Sequence, residues 1–198
     1  MIMIRKHMFK IFRLFIIIAV CGLLLNISHA SAESDLSREY KIKTVLLYRF
    51  TKFIEWTPES FSDNQDPLIL TIIGNDPLSK AIDALHGKKV KGRKLLIKRI
   101  TSIEDIDKSH IFYIAQSEKE RLTEILQTTR ELCVLTISDI KGFSKKGGII
   151  NFFMVENTVR FEINVAAAQE AGLEIKPSLI KLAKVVGNEN RNGMNLRK

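Results

Sequence analysis

The chain has 198 residues and a formal net charge of +9, and 45% of its residues are hydrophobic. The positive charge lies at the two ends, because residues 1–32 hold four basic and no acidic residues and residues 176–198 hold six basic residues against one acidic residue. The segment between them is close to neutral. This distribution argues against a nucleic-acid-binding protein, which would carry its basic patch on the folded domain.

The N-terminal segment has the three parts of a secretory signal peptide. Basic residues open it, the apolar run LFIIIAVCGLLLNI follows, and small residues end it at Ala30 or Ala32. The run is shorter than the roughly 20 apolar residues that span a bilayer. We therefore expect residues 1–32 to be removed after export, and an uncleaved membrane anchor is the alternative.

The remaining chain of about 165 residues is long enough to bury a core within one domain. Cys133 is the one cysteine left after cleavage, so an intramolecular disulfide is impossible in the exported chain. Its apolar neighbours in ELCVLTI predict a buried, unreactive thiol on a strand.

The first predicted element is a long helix over SREYKIKTVLLYRFTKFIEW, which Pro58 helps to end. Its predicted buried face consists of Ile42, Leu46, Leu47, Phe50, Phe53 and Ile54. The apolar run LILTIIG then predicts a strand that is covered on both faces. NDPLSKAIDALHG predicts a second helix, with Asn75 or Asp76 as its N-cap, Pro77 in its first turn and Gly87 after its end.

The middle of the chain continues the alternation of strands and helices. The basic loop KKVKGRK leads into a second strand, and IFYIA and VLTIS predict a third and a fourth. Between these two strands, SEKERLTEILQTTR predicts a helix in which Ser117 and Glu120 form a capping box.

The C-terminal part predicts a hairpin followed by two helices. IINFFMV and TVRFEIN are joined by the turn residues Glu156 and Asn157, so the two strands are expected to be antiparallel. Alternation along TVRFEIN points Glu162 away from the core. Asn164 is the expected cap of the helix VAAAQEAG, and Pro177 opens a last predicted helix, SLIKLAKVV.

These elements predict a single α/β domain over residues 33–187. Strands that alternate with helices indicate a mostly parallel mixed sheet flanked by helices, with a C-terminal antiparallel hairpin. The polar segment 188–198 is expected to be disordered.

The sequence lacks a recognisable set of catalytic residues, which favours a protein without catalytic activity. The sequence contains no GxSxG, HExxH, P-loop or CxxC pattern, so no metal or cofactor is expected. His86 and His110 lie at element edges without a paired ligand, and we interpret both as structural. The loop KKVKGRK would suit phosphate or anionic lipid, but without interleaved aromatic residues it is more typical of a solvated loop.

A possible ligand pocket lies at Asn75 and Asp76. Both residues follow a predicted strand, and open α/β sheets bind ligands beyond the carboxyl ends of their strands. Asn-Asp-Pro before a helix is also ordinary capping sequence, and capping is the simpler interpretation.

A candidate partner-binding surface lies on the flank of the first helix. Val45, Tyr48, Lys52 and Trp56 repeat there at spacings of three or four residues, beside the predicted apolar face. One apolar stripe is enough to dock a helix on a sheet. Trp and Tyr are enriched in binding hot spots, so the extra residues suit an interface, and packing at the edge of the core is the alternative.

Several segments, in their order along the chain, resemble the YfiR family of periplasmic proteins. The similarity runs through YKIKTVLLYRFTKFIEW, LILTIIGNDP, GRKLLIKRI, VLTIS and GFSKKGGIINFFMVENTVRFEINVAAAQEAGLEI, and covers nearly all of the chain after residue 32. The resemblance implies a compact α/β domain that tends to dimerise. It further implies a repressor that binds the periplasmic part of an inner-membrane diguanylate cyclase and that an outer-membrane lipoprotein draws away.

The sequence departs from the family at one point. Family members have a disulfide near the segment that matches GFSKKGGIINFF, which contains no cysteine here, so the resemblance does not extend to redox tuning. The leading hypothesis is a non-enzymatic periplasmic regulator that represses a membrane signalling protein and lowers cyclic-di-GMP output. A periplasmic small-ligand-binding accessory protein of a membrane sensor is the alternative, and an enzyme is the least favoured class.

Overall fold

The computed structural model describes residues 37–63, 65–130 and 132–187. The predicted signal peptide (1–32) and the polar segment 188–198 lie outside the described residues. The described residues from Tyr40 to Gly187 belong to one compact unit, and residues 37–39 are the described part of a separate unit, 1–39. Within the described ranges, no helix is long and apolar enough to cross a membrane.

The described strands form a mixed eight-stranded sheet and a separate two-stranded pair. They are β1 (Ile54–Glu55), β2 (Leu68–Ile73), β3 (Lys89–Val90), β4 (Arg93–Ile100), β5 (Ile111–Ile114), β6 (Leu135–Ser138), β7 (Ile150–Val155), β8 (Thr158–Asn164), β9 (Glu174–Ile175) and β10 (Lys184–Val186). The order across the main sheet is β10-β8-β7-β6-β5-β2-β4-β3, and β1 pairs with β9. Five neighbouring pairs of the main sheet are parallel, and β7–β8 and β3–β4 are antiparallel. The prediction of a mostly parallel mixed sheet with a C-terminal antiparallel hairpin is confirmed.

Helices cover both faces of this sheet. They are α1 (37–50), α2 (Pro77–Ile82), α3 (Leu122–Thr129), α4 (Val165–Glu170) and α5 (Pro177–Ile180). Buried residues of α1, α2, α4 and α5 belong to the core on one face, and those of α3 belong to the core on the other. The sheet curls around α1, because Tyr48 bonds to Lys89 of β3 while Phe50 contacts Phe161 of β8, near the opposite edge.

The central strands follow their sequence closely. Every residue of β5 and β6 is buried. This is expected for the continuous apolar run of β5 with helices on both sides, and the buried hydroxyls of Thr136 and Ser138 in β6 bond to backbone groups. Alternate residues of β5 serve opposite faces: Tyr113 belongs to the core beneath α1, and Phe112 and Ile114 belong to the core beneath α3.

The first helix is shorter than predicted. It ends at residue 50, where the amide of Phe53 bonds to the carbonyl of Phe50 in a turn, and the chain then enters β1. Pairing of β1 with β9 therefore overrides the helical periodicity that extended the prediction to Trp56. Ile42, predicted to be buried, is 40% exposed, and Lys43 is buried in its place.

The predicted loop KKVKGRK is instead a tight hairpin of β3 and β4. Its two turn residues, Lys91 and Gly92, have φ values of 48° and 87°, which suit a two-residue hairpin turn. The second hairpin, β7–β8, confirms its prediction, because Glu156 and Asn157 form the turn with φ values of 45° and 60°.

The C-terminus departs from the predicted long helix. After the four residues of α5, the chain forms β10, which adds to the sheet parallel to β8 and places Lys184 opposite Glu162. Glu162, predicted to face outward, is only 7% exposed. Its carboxylate accepts hydrogen bonds from Ser144 Oγ at 2.5 Å and from Lys184 Nζ at 2.9 Å.

Two of the three predicted helix caps are present. Asp76 caps α2 through a capping box with Ser79, and Asn164 caps α4. The capping box predicted for Ser117 and Glu120 is wrong, because residues 116–118 form a 3-10 turn and α3 begins only at Leu122. The hydroxyl of Ser117 instead accepts a hydrogen bond from the backbone N–H of Asn75, at 2.9 Å.

Candidate functional site

The structure places the four predicted partner-binding residues in different settings. Val45 is half exposed on α1, and the exposed ammonium of Lys52 lies 4.8 Å from the centre of the Tyr48 ring. Tyr48 donates its hydroxyl hydrogen to the carbonyl of Lys89, at 2.7 Å. Trp56 lies beyond the helix, after β1, and its Nε1–H donates to a backbone carbonyl at 3.0 Å. Tyr48 and Trp56 thus hold parts of the fold together, whereas Val45 and Lys52 face solvent.

An exposed apolar pair lies on the outer side of α1. Ile42 and Val45 are 40% and 50% exposed and are three residues apart, so they share one face of the helix. The other side of α1 is buried through Leu47 and Phe50, whose ring lies 5.6 Å from the ring of Phe152. The prediction that Ile42 lies in the buried stripe is wrong, because periodicity alone does not show which side of a helix meets the sheet.

A buried ion pair anchors α1 to the sheet. Lys43 Nζ lies 2.8 Å from the carboxylate of Asp139, and their side chains are 5% and 8% exposed. Gln116 Nε2 donates to the same carboxylate at 3.0 Å. Asp139 directly follows β6, so the ion pair fixes α1 against the carboxyl ends of the central strands. No sequence motif marked these residues.

Asn75 and Asp76 lie at the carboxyl end of β2, next to this ion pair. The strand order reverses here, since β2 is flanked by β4 on one side and β5 on the other, and such points are the usual ligand crevices of α/β sheets. One carboxylate oxygen of Asp76 accepts hydrogen bonds from Tyr113 Oη and from the backbone N–H of Gln116, both at 2.8 Å. The other accepts from Ser79 N at 2.6 Å. Asn75 is exposed beside this network.

Electrostatics in this crevice keep Tyr113 protonated. Burial, followed by the nearby carboxylates of Asp139 and Asp76, raises the pKa of the Tyr113 hydroxyl well above its ordinary value. The hydroxyl therefore remains a hydrogen-bond donor to Asp76. The polar side chains of this crevice satisfy one another's hydrogen bonds.

A cavity of about 480 Å³ lies at the opposite end of the strands. It is lined by the loops that precede β2, β5 and β6. Ile69, Ile106 and Leu132 form apolar parts of its wall, and Asp66 and Lys108 are among its polar groups. This volume lies within the range of roughly 300–1,000 Å³ that is typical of small-molecule sites.

His110 forms part of the cavity wall and is structural. Its Nδ1 accepts a hydrogen bond from the backbone N–H of Ile69 at 3.1 Å, and its Nε2 donates to the carbonyl of Ser60 at 2.9 Å. The ring of Phe61 stacks on it at 4.4 Å. Burial lowers the pKa of His110, so the ring is neutral near pH 7 and both of its nitrogens are occupied.

Cys133 also lines this cavity, which corrects the prediction of a buried thiol on a strand. The residue is only partly buried, and it lies in the loop before β6 rather than within the strand. Its sulfur accepts a long hydrogen bond of 3.5 Å from Ser60 Oγ. The prediction from the apolar run ELCVLTI placed Cys133 on the strand, but β6 begins two residues later, at Leu135.

The sequence profile of YfiR/HmsC-like domains (DUF4154) matches residues 40–184, almost all of the described chain. The chain belongs to the YfiR/HmsC-like family. The resemblance inferred from the sequence is therefore confirmed. The YfiR/HmsC-like family consists of periplasmic regulators that generally interact with a membrane diguanylate cyclase.

Two further comparisons are less informative. A crystal structure of a conserved domain protein from Vibrio cholerae O1 biovar El Tor strain N16961 is similar at 11% sequence identity, with a TM-score of 0.45. The similarity covers 60% of this chain and 54% of that one, so this YfiR/HmsC-like chain spans about half the length of that protein. No match is found among curated proteins.

Proposed function

We propose that this chain is a non-enzymatic periplasmic regulator that binds the periplasmic part of an inner-membrane diguanylate cyclase and represses it, lowering cyclic-di-GMP output. Membership of the YfiR/HmsC-like family supports the regulatory role. The basic start, short apolar run and small residues of positions 1–32 support export by a cleaved signal peptide.

The observation that carries this proposal is the exposed apolar pair Ile42 and Val45. Leu47, Phe50 and the Lys43–Asp139 ion pair already hold α1 on the sheet, so docking of the helix does not need the outer pair. A partner that covers these side chains gains about 25 cal/mol of binding free energy for each Å² of apolar surface that it removes from water. We propose that the outer face of α1 is the contact surface, with Lys52 just beyond the end of the helix. Tyr48 and Trp56, which were also predicted to bind a partner, support this surface through their hydrogen bonds within the fold.

Calorimetric titration of the exported chain with the periplasmic part of a diguanylate cyclase from the same genome tests this proposal. Ile42→Ser and Val45→Ser should each weaken binding by at least about 2 kcal/mol, roughly 25-fold in Kd, which is the hot-spot range. The midpoint of thermal unfolding should change little, because both side chains are exposed. Leu182→Ser is the matched control, since Leu182 is also exposed but lies after α5.

Unchanged affinity in both α1 variants would contradict the assignment of this surface. The mass of the chain in solution should be measured in parallel, because the proposed homodimer would compete for the same face. The proposed outer-membrane lipoprotein partner is tested in the same assay, as a competitor that should release the cyclase.

The cavity next to Cys133 favours a second candidate function, in which the protein binds a small molecule as an accessory of a membrane sensor. Its volume of about 480 Å³ is sufficient for such a ligand. At the other proposed ligand position, Asn75 and Asp76, the carboxylate of Asp76 is already hydrogen-bonded to groups of the protein. Thermal-shift screening tests this function, because a ligand that binds only the folded state raises the unfolding temperature. A hit should also slow modification of Cys133 by a thiol reagent if it occupies the cavity.

A further inference from the structure

A cluster of lysines surrounds the free edge of β3. Lys88, Lys89 and Lys94 are exposed on the β3–β4 hairpin. Lys52, in the turn after α1, is also exposed, and its ammonium lies against Tyr48, whose hydroxyl bonds to the backbone carbonyl of Lys89. None of these four side chains forms an ion pair with a carboxylate of the described chain.

Two of these charges are placed unfavourably for the isolated fold. Lys89 and Lys94 are direct partners in the antiparallel pair of β3 and β4, so their side chains leave the same face side by side. Like charges in this arrangement destabilise a sheet. Glu55 lies next to the hairpin turn, but it does not relieve this repulsion, because its carboxylate is already paired with Lys91 and Lys176.

We propose that this lysine edge is a docking surface for an anionic phospholipid bilayer, a property that goes beyond the proposed repression of a cyclase. The composition of the patch distinguishes a bilayer from a protein partner. Protein hot spots rely on Trp, Tyr and Arg, whereas the exposed groups here are lysines, which are compact and strongly hydrated point charges. Such charges suit a diffuse layer of phosphate headgroups. Docking would keep the regulator at the membrane in which its target lies.

The lysines at the edge of a sheet have a simpler use, which is to prevent strands of other molecules from pairing with it. The two roles give different results on charge reversal. Glutamate protects an edge as lysine does, but it is repelled by anionic lipid. The variant Lys89→Glu with Lys94→Glu also keeps two like charges opposite each other, so it changes the sign of the patch with little change in the repulsion across the hairpin.

Sedimentation with vesicles tests the proposal on the exported, processed chain. Vesicles of phosphatidylcholine with 30% phosphatidylglycerol should bind the chain at low salt, and pure phosphatidylcholine vesicles should not. Each lysine near an anionic surface contributes about fivefold to the partition coefficient. The double reversal should therefore lower partitioning by at least about 25-fold, and 0.5 M salt should abolish binding by screening.

The matched control is Lys141→Glu with Lys146→Glu, which makes the same change in net charge at exposed lysines of the loop between β6 and β7. It should retain most of the binding. The single variant Lys94→Glu creates an attractive pair with Lys89, so its unfolding temperature should rise while its partitioning falls.

Three results would overturn the proposal: no preference for anionic vesicles, an equal loss in the control variant, or no loss in the double reversal. If the double reversal instead weakens only binding to the cyclase, the patch serves a protein and the lipid assignment is wrong. These vesicles contain no protein, so the outcome is independent of whether the chain represses a cyclase.

Discussion

Removal of Lys43 should show how much the fold depends on the buried ion pair beneath α1. Lys43→Met leaves the carboxylate of Asp139, which is 8% exposed, with Gln116 as its remaining side-chain donor. Breaking a buried pair in this way costs about 3–5 kcal/mol, because one charge stays buried without its partner. At roughly 2–4 °C per kcal/mol for a domain of this size, the unfolding midpoint should fall by about 6–20 °C.

A second variant separates the loss of the pair from the loss of packing. Lys43→Met with Asp139→Asn removes both charges and keeps an amide oxygen that accepts from Gln116. Urea unfolding at pH 7 should therefore place the double variant much closer to the original chain than the single variant, because replacing both charges is often near neutral. A single variant that loses less than about 1 kcal/mol, or a double variant as unstable as the single one, would refute a buried pair.

Further predictions concern residues around the cavity and in the core beneath α3. Because burial lowers the pKa of His110 below 6.5 in the folded chain, the unfolded chain binds more protons below that pH, so stability should fall as pH falls from 6.5. In His110→Asn, the midpoint of urea unfolding should depend less on pH than in the original chain. The same pH dependence in both proteins would contradict this role of His110. Cys133→Ser should cost no more than about 1 kcal/mol, since the site is only partly buried, and loss of repression with unchanged stability would give the thiol a role. Gly148→Ala should cost about 1–3 kcal/mol by overpacking, because a Cβ there meets the buried ring of Phe143; an unchanged urea midpoint would show that the ring can move.

Sequence patterns predicted the features that local chemistry determines. The strands β2 and β5 are almost entirely apolar, and such runs are typical of strands buried between helices. Asp76 followed by Pro77 marked the start of α2, because the capping carboxylate and the fixed φ of proline act within one turn. The turn at Glu156 and Asn157 was equally local.

The errors occur where a distant part of the chain decides the outcome. Lys43 is buried because Asp139, 96 residues later, supplies the opposite charge, and no pattern within α1 contains that information. Glu162 is buried because β10 joins the sheet beside it and brings Lys184. The prediction of a helix over the same segment removed that partner from consideration.

Hydrogen bonding at Glu162 shows how such a pairing is maintained. Burial acts to raise the pKa of this carboxyl, but the hydrogen bonds from Ser144 and Lys184 outweigh it and hold the pKa below its ordinary value. Because the folded pKa is depressed, the stabilisation is present above the ordinary pKa of 4.5 and is lost as pH falls through the lower folded value. The attachment of β10 should therefore be insensitive to pH above 4.5.

The same long-range pairings bear on function. The crevice at the carboxyl ends of β2 and β5 is where comparable α/β sheets hold their ligands, but here Asp76, Tyr113 and the Lys43–Asp139 pair occupy it and satisfy one another's hydrogen bonds. A ligand that bound to these groups would have to compete with a buried ion pair that also fixes α1. The fold thus uses the polar groups of its crevice to hold a helix in place, which favours a function performed by the outer face of that helix over one performed inside the crevice.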